Sequence, residues 1–169
     1  MDLTKKDRII LINQYEILKR LDIENLVFYD EIIEILQNGY SIFYSNVDSM
    51  ISEDLPFDEG KFVLDVLDIY RIIENYKQNN PGDVEIEGHL WGYFKGFDGN
   101  NESDYMAFTR FLIEKQGKFT EQLNYKQKTD NFNSHSPTVH KYKSMVTKWY
   151  EMNRNYSLTK EDILQILNV

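Results

Sequence analysis

The stretch from Phe57 to Gln78 constrains the fold more than any other part of the chain. Phe62, Val66, Ile69, Ile73 and Tyr76 recur at three- and four-residue steps, and Val63, Leu67 and Tyr70 broaden the stripe. This period places one apolar face along a long helix and cannot serve a strand. Asp65, Asp68, Arg71 and Glu74 fall beside or opposite that face. Pro56 stands just before it, where a residue without an amide donor is tolerated. Asn79-Asn80-Pro81-Gly82-Asp83 closes it with several breakers in a row.

The remaining segments repeat the pattern. Thr4 and Asp7 form a capping box ahead of a first helix. Its stripe of Leu11, Tyr15 and Leu18, widened by Ile10, Ile17 and Leu21, predicts a well-buried element. A second helix is expected from Ile23 to Gln37, with Asn38-Gly39 as its stop, and a third from Ser41 to Met50. Helices resume over Glu102–Glu114 and Phe119–Tyr125, with Gly117 between them. Lys126 to His135 reads as loop. Ser136-Pro137 suits a helix start, Ser at the cap, and Val139, Tyr142, Val146 and Trp149 line the helix that follows. Thr159 and Asp162 form a second capping box, with Leu158 and Ile163 as a hydrophobic staple. From Asp83 to Asn101, Gly88, Gly92, Gly96 and Gly99 fall among His89, Trp91, Tyr93, Phe94 and Phe97. A structured loop with a helical turn is expected there in preference to a short strand from Val84. The expected fold is all-α, about seven helices with a glycine-rich aromatic loop. Splitting the 169 residues at Pro81-Gly82 would leave two marginal halves, so one domain over 1–169 is expected.

Composition narrows function mainly by exclusion. The chain has no Cys, which removes disulfides, thiol catalysis and thiolate metal sites. It has no glycine-rich phosphate loop and no nucleophile elbow. Its histidines are His89, His135 and His140, in none of the metal-binding spacings, and no cofactor or metal is expected. No run has signal-peptide or membrane-span length, so a cytoplasmic protein without membrane contact is expected. The carboxylate pairs Glu31/Glu34 and Asp65/Asp68 lie on helical faces, as 28 acids in one chain make common.

Two groups of residues carry the candidate chemistry. Asp98 in the glycine-rich segment, with Arg110, Glu114 and His89, could hold an anion or form an unfamiliar enzyme site. The plainer reading is that Asp98 and Arg110 tie the loop to the helix, with Glu114 pairing Arg110 one turn on. The second group is basic. The formal charge is −9 overall, yet 115–154 carries +5. Lys126, Lys128, Lys141, Lys143, Lys148 and Arg154 are interleaved there with Tyr125, Phe132, Tyr142, Trp149 and Tyr150. Cations with aromatics suit a single-stranded nucleic-acid platform. They equally suit a helix with an aromatic core face and a lysine-covered wet face, which the spacing of Tyr142, Val146 and Trp149 favours.

In order along the chain, Asn13-Gln14-Tyr15, Gly39-Tyr40, Gly96-Phe97-Asp98, Arg110-Phe111, Gly117, Phe132-Asn133, Pro137, Trp149 and Leu158 to Ile166 resemble the YfbU family of small bacterial proteins. The resemblance runs over nearly the whole chain. It implies a mostly helical fold, an unassigned biochemical function, an association with bacterial cell death, and no established catalytic residues. The chain departs from the family in the glycine-richer segment 83–101, with Asn100-Asn101 before the helix. The leading expectation is a homo-oligomer, or a partner for another protein, acting through aromatic anchors and a charged rim. Nucleic acid is a less favoured partner, and whether the protein is an enzyme is left open.

Overall fold

A computed structural model describes residues 2–48 and 51–169. They contain eight α-helical elements: α1 Lys5–Leu21, α2 Leu26–Asn38, α3 Ser45–Asp48, α4 Phe57–Asn79, α5 Val84–Glu87, α6 Ser103–Arg110, α7 Val139–Glu151 and α8 Lys160–Leu167. Short 3-10 segments and one π-helical segment, Phe111–Lys115, complete the set. No strand occurs among the described residues, only an isolated bridge between Phe97 and Asn133. The chain divides into two compact units, Met1–Asp54 and Leu55–Val169, at the break before Pro56 rather than at Pro81-Gly82.

In the first unit the Thr4–Asp7 capping box forms as expected. The expected burial of α1 does not follow, because none of its residues is buried. Leu11, Ile12 and Tyr15 pack against a small core of Ile32, Ile35 and Leu36 on α2 and Tyr44 beyond it. A single partner helix covers one side only, so Ile9, Ile10, Ile17, Leu18 and Leu21 remain exposed. Between Ile23 and Asn25 the chain forms a 3-10 turn before α2. The left-handed Gly39 (φ +70) then ends α2. The third expected helix is a 3-10 turn at Ser41–Phe43 followed by α3. Its last two expected positions, 49 and 50, lie outside the described residues.

The second unit is built on α4. Val63, Val66, Leu67, Ile69, Tyr70, Ile72 and Ile73 are buried on it, more of its circumference than the single stripe suggested. α6, α7 and the 120–125 segment pack around it. The centre is aromatic. Phe94 lies 5.4 Å from Tyr70, 5.8 Å from both Phe97 and Tyr142, and 6.1 Å from Phe132 between ring centroids. Such pairs add about 0.5–1.5 kcal/mol each beyond the area they bury.

Two helix ends depart from expectation. The helix expected to reach Glu114 widens after Arg110 into a π-helical turn, with Gln116 N bonded to Phe111 O at 3.0 Å, and Gly117 (φ +64) stops it. The α7 helix begins after Thr138 rather than at Ser136. Its free amides are met by a carboxylate distant in sequence, described next. The glycines at 88, 92 and 96 do not form a helical face, because α5 ends at Glu87.

Candidate functional site

The region around Asp98 is built by two segments that interlock. Phe97 N donates to Phe132 O at 3.0 Å, and Ser134 N donates back to Phe97 O at 3.1 Å. Gly96 (φ +84) makes this approach feasible, since a Cβ there would lie 2.0 Å from Phe132 O. Opposite it, Asp130, Asn131 and Phe132 are three successive left-handed residues (φ 44, 57 and 63). Such a run costs an L-chain roughly 1–2 kcal/mol per residue. It persists because it is held from several sides. Phe132 N donates to Thr129 Oγ1 at 3.2 Å, Asn133 Oδ1 accepts from Gly99 N at 3.0 Å, and Arg110 Nε donates to Asn131 O at 2.8 Å.

Glu102 closes the interlock. Its buried carboxylate accepts from Thr138 N and Val139 N, both at 2.9 Å, from Thr138 Oγ1 at 3.0 Å and from Asp98 N at 2.9 Å. A carboxylate on the first amides of α7 satisfies orphan donors and opposes the positive end of the helix dipole. Sequence patterns did not single out Glu102, because no spacing rule pairs a carboxylate with amides 36 residues away.

The individual site candidates have separate partners. Asp98 is buried, and its carboxylate accepts from Asn100 N at 3.1 Å and from Asn101 Nδ2. These bonds hold its pKa below the usual carboxylate value. Arg110 binds a backbone carbonyl and not Asp98, so the expected Asp98–Arg110 tie is made instead by Glu102 and the Phe97–Phe132 bridge. Glu114 pairs with Lys126 at 2.9 Å and not with Arg110, the widened π turn lying between them. His89 Nδ1 accepts from Trp91 N at 3.1 Å, which leaves its Nε2 facing Asn168 Oδ1 at 3.3 Å.

Most of the basic candidates are also engaged. Lys148 pairs with Glu151 at 3.3 Å. Arg154 pairs with Asp65 at 2.9 Å. Lys141 donates to the carbonyls of Leu167 and Val169, and burial lowers its pKa. Lys143 lines an open groove of about 790 Å³ with His140, Thr147 and Gln165. Lys128 Nζ lies 3.8 Å from the Tyr93 ring centroid. Of the five aromatics interleaved with these lysines, Phe132, Tyr142 and Trp149 are fully buried core, Tyr125 is half-buried and Tyr150 is exposed.

Asp65 and Glu74 are further buried carboxylates on α4. Asp65 receives Lys61 (2.7 Å), Tyr150 OH (2.8 Å) and Arg154. Glu74 receives Lys77 (2.7 Å) and Tyr125 OH (3.0 Å). Among the described residues no cluster of three His, Asp or Glu side chains is arranged to hold a metal. No described helix is long and apolar enough to cross a membrane.

One exposed feature of the first unit is apolar. Around the α1–α2 junction, Leu21, Ile23 and Val27 are 77%, 74% and 82% exposed, and Ile17, Leu18 and Phe28 are exposed beside them in sequence. Monomeric surfaces seldom concentrate so much apolar area in one place.

A family model described as the YfbU domain matches residues 1–169. The UPF0304 protein MJECS11 of Methanocaldococcus jannaschii is 55% identical over 168 residues, covering 98% of this chain and 99% of that protein. The full-length family match and this end-to-end identity agree with the ordered motifs, and the chain belongs to the YfbU family, a group of small proteins of uncharacterised function.

Proposed function

We propose that the protein is a self-associating interaction protein and that the α1–α2 junction docks against a second copy of the chain. The observation that carries this reading is the exposure of Leu21, Ile23 and Val27 on a helix pair whose first member buries no residue. Covering one such side chain removes on the order of 100 Å² from water. With Ile17, Leu18 and Phe28, the six supply much of the roughly 800 Å² per partner of a standard interface. The same surface on both copies makes a closed, isologous dimer. Unit 1–54 carries eleven acids against five bases, so the apolar contact is rimmed by like charge. The two units then act as one functional domain, as a single family match over 1–169 supports. The setting we assign is the cytoplasm, for which a chain without Cys is suited.

The enzyme reading has less support, since Asp98, Arg110 and His89 each have partners of their own within the chain. Native mass spectrometry of the wild type and of Leu21→Asp with Val27→Asp tests the proposal. The expected result is a dimer for the wild type and a folded monomer for the variant. A wild type that is monomeric throughout, or a variant dimer as tight as the wild type, would overturn it. A monomeric wild type whose junction resists labelling would mean that the apolar face is covered within its own chain.

A further inference from the structure

We propose that the surface carrying Trp91 and Tyr93 is a binding site for single-stranded nucleic acid, the two rings meeting bases and Lys95, Lys128 and Lys141 meeting phosphates. It lies in unit 55–169 and stands or falls independently of the self-association above.

The segment after α5 alternates. Gly92 and Phe94 are buried, whereas Trp91 and Tyr93 are half-exposed between them. Three lysines from distant parts of the sequence converge on those two rings. Lys95 Nζ lies 4.6 Å from the Trp91 centroid and 5.8 Å from that of Tyr93. Lys128 lies 3.8 Å from Tyr93, and Lys141 lies 5.6 Å from Trp91. Lys95 and Lys128 belong to no ion pair among the described residues, although the chain as a whole is acidic, and Lys141 is held on the Leu167 and Val169 oxygens. Tyr125 extends the platform, stacking on Tyr93 at 5.2 Å and 23°. The acid beneath it, Glu74, is already neutralised by Lys77 and Tyr125.

This combination fits a ligand with both planar and anionic parts. Lys95 and Lys128, held mainly by ring faces, are exchanged easily for a phosphate, because exposed cation–π contacts are weak, while Lys141 keeps its two carbonyl bonds and offers its remaining donor. The vacated face can then stack a base, which any base can use. The scaffold is already fixed. Lys95 N donates to the buried Tyr142 hydroxyl at 3.2 Å, and Trp91 N to His89 at 3.1 Å, so ordering the platform on binding costs little. An acidic peptide would use the lysines and leave the paired rings idle.

The test titrates the full-length protein with short oligouridylate and oligothymidylate, following tryptophan emission. Trp149 is fully buried, so quenching reports on Trp91. The expected result is saturable quenching whose log K falls with log salt at a slope near −2, about 0.7 for each of three phosphates. Inorganic polyphosphate should bind at least about fivefold more weakly, because it has no bases to stack. Lys95→Ala with Lys128→Ala should weaken oligonucleotide binding about tenfold at unchanged circular dichroism. Lys143→Ala with Lys148→Ala, the same charge change in the α7–α8 groove, should stay within about twofold. Binding of RNA alone or of DNA alone supports the site and names its ligand. No saturable binding, equal affinity for polyphosphate, or a loss in Lys143→Ala/Lys148→Ala equal to that in Lys95→Ala/Lys128→Ala would overturn it.

Discussion

Replacing Glu102 by Gln changes almost no volume and tests whether one carboxylate locks the second unit. Its Oε1 serves Thr138 N and Val139 N, while Oε2 serves Asp98 N and the Thr138 hydroxyl. An amide can keep one oxygen on the α7 amides, but its nitrogen then meets Asp98 N donor to donor. A buried donor left unsatisfied costs about 1–3 kcal/mol. Losing the negative charge at the N-terminus of α7 adds about 0.3–1 kcal/mol. Glu102→Gln should therefore destabilise by about 3 kcal/mol, a fall in Tm of roughly 10 °C for a domain of this size. Glu114→Gln is the control, since Glu114 is exposed and its ion pair with Lys126 is a contact worth about 0–1 kcal/mol. Urea unfolding at fixed protein concentration, followed by tryptophan emission and circular dichroism, gives both values. Equal losses for the two variants would refute the assignment of Glu102 as the lock.

Gly96→Ala should cost more than about 2 kcal/mol, because its Cβ would collide with the Phe132 backbone. Gly117→Ala, left-handed but with open space around it, should cost only about 1 kcal/mol in the same unfolding assay. Hydrogen bonds from Asn101 and from Lys160 depress the folded pKa values of Asp98 and Asp83 respectively. Their contribution is thus complete above the unfolded carboxylate value and is lost as pH falls through the folded values. Stability should fall below about pH 4, and less steeply in Asp83→Asn, as acid titration of urea midpoints will read. Burial raises the Tyr142 hydroxyl pKa, so its contribution persists below the unfolded tyrosine value, about 10, and is lost as pH rises beyond it. Absorbance titration should find tyrosine that ionises only on alkaline unfolding. Finally, like-charged rims should make self-association tighten with added salt, the reverse of the oligonucleotide trend.

Local signals were legible in the sequence where a helix end is closed by its own residues. Thr4 with Asp7 and Thr159 with Asp162 form the expected boxes, and Gly39 ends α2 in the left-handed conformation. The α4 stripe predicted Phe57–Gln78 and the helix runs Phe57–Asn79. Readings failed where a partner distant in sequence decides the outcome. Glu102 caps α7 from 36 residues away, so Ser136 was the wrong cap. Periodicity marked the apolar face of α1 but could not say what covers it, and α2 covers only part. Among the site candidates, Arg110 binds the Asn131 carbonyl and Asp98 binds Asn100 and Asn101, so the expected tie between the two does not form. Lys128 and Lys141 were visible as charge. Their convergence on Trp91 and Tyr93 was not, because no spacing rule relates residues so far apart.

The central claim is that the apolar face at the α1–α2 junction is covered by a second copy of the chain. Sedimentation equilibrium of the untagged full-length protein across micromolar concentrations tests it most directly. The account predicts a mass that rises with concentration from that of the 20.2 kDa chain to twice that value, and no further, with Leu21→Asp/Val27→Asp remaining at the single-chain mass. A single-chain mass at every concentration would contradict it.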